Sequence, residues 1–88
     1  MSLTFPNRSR SYDDANRRIR FSGYDGMFEV KFFLELDGLA KVHYGRLTGE
    51  REYLSAFDDS REKILAAAEK AYGRGQKTMC TLTHSDFS

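Results

Sequence analysis

A chain of 88 residues with seven Phe, five Tyr and a formal net charge of +1 is enough for one small α+β domain, 1–88, with one core, and it carries no global field to steer a polyanion. One cysteine, Cys80, excludes an internal disulfide framework. No run approaches the roughly 20 apolar residues of a membrane span, and MSLTFPNRSR lacks a signal-peptide apolar region, so a soluble cytoplasmic protein with no membrane partner is expected.

Leu3-Thr4-Phe5 before Pro6 reads as a short edge strand, because proline cannot continue a central ladder. The polar stretch NRSRSYDDAN reads as a loop. From Arg17 the chain alternates, with Ile19 and Phe21 on one face and Arg18, Arg20 and Ser22 on the other. After GYDG the alternation resumes: Phe28, Val30, Phe32 and Leu34 face one way, Glu29, Lys31 and Phe33 the other. The two runs predict an antiparallel hairpin whose outward face sets arginines near Glu29.

A Gly-x-x-Gly loop can also clamp a nucleic-acid backbone, but in such a clamp it joins two helices. Here strand-like alternation flanks it on both sides. Gly23 and Gly26 are therefore expected to supply positive φ in the hairpin connection, with Asp25-Gly26 as the tight step.

Leu36 to Tyr44 fits two local readings. Asp37-Gly38 between apolar residues signals a hairpin, while Leu36, Leu39, Ala40 and His43 fit a helical stripe. Beyond Gly49, Tyr53, Leu54 and Phe57 mark a short helix. DDSREKILAAAEKAYGRG marks a stronger one, with an Asp59/Glu62 capping box, an apolar stripe through Ile64, Leu65, Ala68, Ala71 and Tyr72, and Gly73 as the stop. A break is expected near Asp58 to Ser60, since one helix from Glu50 to Tyr72 would span about 34 Å, the width of a small domain. KTMCTLTHSDF predicts a last strand. The elements combine into an α+β fold: a small, mainly antiparallel sheet of about four strands in β-β-β-α-α-β order, with helices packed on one face.

FPNRSRSYD, IRFSGYDGMFEV, LAKVHYG, AFDDSREKILAAAEKAYGRG and THSDF together resemble the bacterial family known as domain of unknown function 1488. The resemblance spans almost the whole chain and implies a small α+β protein of bacterial origin, with Leu36 to Tyr44 helical. It implies no catalytic residues.

The residues themselves carry little chemistry. His43 and His84 lack partners at metal-ligand spacing, and His43 is expected to satisfy a helix end. Cys80 lies in a threonine-rich strand without an acid-base neighbour. The pairs Asp13-Asp14 and Asp58-Asp59 are adjacent in sequence, and adjacent carboxylates rarely converge on one reacting atom. No catalytic, cofactor-binding or metal site is expected.

The outward hairpin face is the candidate interaction surface: Arg18, Arg20, Lys31 and Phe33. Phe33, the one aromatic that breaks the alternation, has three open readings: a stacking platform for single-stranded nucleic acid, a dimer contact, or packing under the N-terminal loop. Arg8 and Arg10 could reach a phosphate or the chain's own Asp58 and Glu62, and the near-neutral charge favours the second. The expected function is that of a non-enzymatic accessory module acting on a protein partner or a second copy of itself. Weak nucleic-acid binding through the basic and aromatic face is the alternative.

Overall fold

The computed structural model describes residues 3–6, 9–43, 48–75 and 79–87. Arg8, Tyr44 and Thr78, on which parts of the sequence reading fell, lie outside the described residues. Four strands come first: β1 (Leu3–Thr4), β2 (Arg10–Asp13), β3 (Arg18–Asp25) and β4 (Phe28–Glu35). Helices α1 (Leu36–Val42), α2 (Glu50–Asp59) and α3 (Arg61–Gly75) follow, then β5 (Met79–Leu82) and a 3-10 turn at His84–Phe87. The sheet is antiparallel except for β5, which runs parallel to β4.

The hairpin forms as the alternation predicts. Ile19, Phe21, Val30, Phe32 and Leu34 are buried on the helix side. Asp25 pairs with Phe28, so the turn residues are Gly26 and Met27, one step later than expected. Of Gly23 and Gly26 only Gly26 has positive φ, 64°, the pattern of a type II′ turn with glycine first. Phe28 departs from its predicted burial and stands 75% exposed beside Met27, because the hairpin tip runs past the residues that cover it.

Gly23 is a strand residue rather than a turn residue. A Cβ there would lie 2.7 Å from Phe5 Cε1 and 3.1 Å from the Thr4 carbonyl oxygen, so its bare backbone admits Phe5 to the core. The Phe5 ring sits 6.2 Å from Phe21 and 5.8 Å from Phe32, which leaves it little room to retreat. Gly23→Ala is therefore expected to destabilise the protein by about 1–3 kcal/mol through overpacking. Urea unfolding checks it. In a Phe5→Ala background the same change should cost less, because the clashing ring is gone.

Two segments read as loop or stop are regular structure. Within NRSRSYDDAN, Arg10–Asp13 forms β2 and pairs with β3 from Arg10↔Phe21 to Asp13↔Arg18. Its polar residues suit an edge: Ser11 and Asp13 lie outward, while Tyr12 turns inward with its ring 5.1 Å from Tyr53. β1 pairs the other end of the same β3 edge. Helix α3 also continues past Gly73 to Gly75. Gly73 lacks the positive φ that ends a helix, so it weakens the last turn without stopping it.

α1 resolves the ambiguous segment in favour of helix, starting directly from the end of β4. Gly38 lets it seat: a Cβ there would meet Leu34 Cδ1 at 3.0 Å and the Thr83 backbone at 3.1 Å. His43 ends the helix in extended conformation, its N–H donating to the Leu39 carbonyl at 3.1 Å. The α2–α3 break falls at Ser60 rather than on an Asp59 cap. Asp59 is the last residue of α2, and the Ser60 carbonyl accepts from the Ile64 N–H at 3.1 Å to open α3. The buried Ser60 hydroxyl donates to the Val42 carbonyl at 3.4 Å, tying this corner to the end of α1.

The core lies between the helices and the inner sheet face. Phe21 and Phe32 stack at 5.2 Å, and Phe57 of α2 tilts onto Phe21 at 5.1 Å. Leu39, Ile64, Ala68 and Leu82 complete it at 0% exposure. Tyr72 near the end of α3 donates to Asp25 Oδ2 at 2.6 Å, holding the base of the hairpin tip to the helix layer. That bond, and burial after it, raise the Tyr72 phenol above its ordinary 10.0.

Candidate interaction surface

Strand alternation fixes what the outer face carries. The register aligns Asp13, Arg18 and Glu35 in one row, Ser11, Arg20, Phe33 and Thr81 in the next, and Ser22, Lys31 and Met79 in a third. Arg18, Arg20, Lys31 and Phe33 therefore do share one face, as the sequence predicts. Their states differ sharply.

Phe33 is not an exposed ring. It is 6% exposed, and the Arg18 guanidinium carbon lies 3.9 Å from its centroid. Such a cation–π contact contributes about 0.5–2 kcal/mol, depending on how far it is shielded from water. Arg18 is held from the other side as well, with Nε 3.4 Å from Asp13 Oδ2. Asp13 in turn accepts from the Asn16 side-chain amide at 2.9 Å. This hydrogen bond, ahead of those from the Asn16 backbone and Arg18, outweighs burial and lowers the Asp13 carboxyl below its ordinary 3.8. Arg18 and Phe33 thus cover each other, and the base-stacking platform is closed at that ring.

Arg20 and Lys31 are exposed, and neither makes an ion pair or side-chain hydrogen bond among the described residues. They are diagonal neighbours on adjacent strands, and they line a groove of about 370 Å³ with Ser11, Ser22, Phe33 and Met79. Met79, 55% exposed, lies beside Lys31. Its place here comes from the parallel β4–β5 register, which nothing near Met79 in sequence reveals. The expected proximity of the arginines to Glu29 does not occur: Arg18 lies opposite Glu35, and Glu29 accepts from the Ser22 hydroxyl at 3.0 Å.

Elsewhere, charges are spent on holding elements together. Arg10 reaches Asp58 of its own chain with two bonds, Nε to Oδ1 at 3.1 Å and a terminal nitrogen to Oδ2 at 2.8 Å. Arg61 donates to the same carboxylate at 2.9 Å. Burial alone would raise the Asp58 carboxyl, but the bonds from Arg10 and then Arg61 outweigh it and lower it below 3.8. Two larger hollows, about 660 and 710 Å³, flank this triad. His84 pairs with Asp37 at 2.9 Å, and Arg74 with Asp86 at 3.0 Å. Among the described residues no group of three or more His, Cys, Asp or Glu is placed to hold a metal ion. No helix among them is long and apolar enough to cross a membrane.

These features define a small α+β protein whose sheet is covered by helices on one face and carries a cationic groove on the other. The family model described as protein of unknown function (DUF1488) matches residues 3–82, and the chain belongs to that family. No curated protein and no solved structure matches it.

Proposed function

We propose that this protein is a non-enzymatic accessory module of the bacterial cytoplasm that docks a protein partner, or a second copy of itself, on the helix-free face of its sheet. The observation that carries this reading is that Arg20 and Lys31, without an ion-pair partner among the described residues, line a groove beside exposed Met79. A face that served only to be solvated has no need of a hollow with two uncompensated cations and an apolar wall. The carboxylates that sit against basic side chains support a binding role over catalysis: Asp13, Asp37, Asp58 and Asp86 are engaged in ties between segments, and none of the four lines the groove. Nucleic acid fits less well, because Arg18 occupies the ring on which a base would stack.

Arg20→Glu/Lys31→Glu reverses the face without touching the core, and Arg51→Glu alters the exposed surface of α2 as a control. Affinity capture from host extract and solution mass are then compared across the three proteins. The double variant should lose the captured partner or the self-associated species, and the control should keep it. Capture and mass that are unchanged in the double variant would overturn this reading.

A further inference from the structure

We infer that the groove on the outer sheet face receives a short, extended acidic segment of the partner protein, two carboxylates at alternate positions taking Arg20 and Lys31 and an apolar side chain lying against Met79. This rests on the reading of the face as a docking surface and adds the chemistry of what docks.

Spacing is the first argument. Arg20 lies opposite Phe33, which makes Lys31 its diagonal neighbour across the β3–β4 pair, and such neighbours stand about 7–8 Å apart. In an extended chain residues i and i+2 share a face and stand about 6.6 Å apart. Carboxylates at alternate positions therefore meet both cations without bending the segment. Both partners of each contact start solvated, so neither cation has to be stripped from an existing ion pair.

Charge around the groove bounds the segment's length. Asp13 and Glu35 flank Arg18 at one end of the face, which leaves that row net negative, and Glu29 lies at the other end, with Arg20 and Lys31 between them. A pair of negative charges fits that pattern, whereas a long polyanion would run over carboxylates in both directions. This is the reason to choose an acidic peptide over a nucleic-acid strand. Arg20 presents a planar fork suited to bidentate carboxylate binding, and Lys31 a point charge that tolerates several approaches. Met79 contributes a flexible apolar wall that adapts to different side chains.

The test is fluorescence anisotropy with three labelled probes: a ten-residue peptide of glutamate, leucine and serine with glutamates at alternate positions, its lysine-for-glutamate counterpart, and oligothymidine. Wild type should bind the acidic peptide, and affinity should fall about tenfold in Arg20→Glu/Lys31→Glu and on raising salt from about 50 to about 300 mM. The double variant should in turn prefer the lysine peptide, a reversal that loss of folding cannot produce. Equal binding of both peptides by wild type, no binding of the acidic peptide at low salt, indifference to the double variant, or tighter binding of oligothymidine would each overturn the inference. If the acidic peptide fails while captured protein still depends on Arg20 and Lys31, the docking face stands and only its assigned ligand falls. If capture is also indifferent to the double variant, both fall.

Discussion

Phe57→Ala is expected to destabilise the protein by about 3–5 kcal/mol, the cost of emptying a fully buried phenylalanine site. Phe57 is 0% exposed, its ring lies 5.1 Å from Phe21, and the Arg61 guanidinium carbon sits 4.9 Å from its centroid. It is the side chain through which α2 reaches the paired rings of the hairpin, so the cavity would open between the two layers. A domain of this size is stable by roughly 0.05–0.15 kcal/mol per residue, so the loss takes a large share of the total. Urea unfolding should show a much lower midpoint with little change in slope. Phe28→Ala is the comparator: Phe28 is 75% exposed, and its removal should stay within about 0.5 kcal/mol.

Asp58→Ala is expected to cost about 2 kcal/mol at neutral pH, between the small value of an exposed ion pair and the 3–5 kcal/mol of a buried one. The Asp58 side chain is 38% exposed, but that of Arg61 is only 10% exposed and would lose a charged partner. Helix polarity works the other way: Asp58 lies in the last turn of α2, where a negative charge is unfavourable, and alanine relieves that. Its retention is explained by Arg10 and Arg61, which tie β2 to the α2–α3 corner through it. The pH dependence has a definite sign. The folded-state pKa is lowered from 3.8, so the stabilisation is fully present above 3.8 and is lost as pH falls through the folded value. The gap between wild type and Asp58→Ala, followed by denaturant midpoint, should therefore be constant near neutrality and close in acid. A gap that widens in acid would show that Asp58 is not held ionised by its arginines.

The outer face shows how one substitution of context changes a residue's meaning. In sequence, Phe33 beside Arg18, Arg20 and Lys31 reads as a ring among cations, and the arrangement is indeed there. What the letters do not contain is that Arg18 turns onto the ring and closes it. That choice depends on Asp13, which holds Arg18 from the far side of the β2–β3 pair. The same holds for Arg10. Its pairing with Asp58 over a separation of 48 residues was open to reasoning from charge balance, but its two-bond geometry required β2 to exist as a strand.

Local sequence was sufficient wherever a period or a backbone requirement acts within a few residues. The hairpin follows from alternation, α2 and α3 from helical spacing, and the positive φ of Gly26 from glycine's freedom there, although the turn falls on Gly26-Met27, one step past the expected Asp25-Gly26. These determine the α+β class and which side chains face outward, since alternation is a property of the strand alone. Tertiary structure decided the rest: that Arg10–Asp13 is an edge strand, that Gly23 makes room for Phe5, that α1 is helical despite Gly38, and that Met79 lies beside Lys31. The edge strand needs the next strand, β3, to pair with, and the other three depend on partners farther along the chain, whose packing and register outweigh a local preference of about 1 kcal/mol.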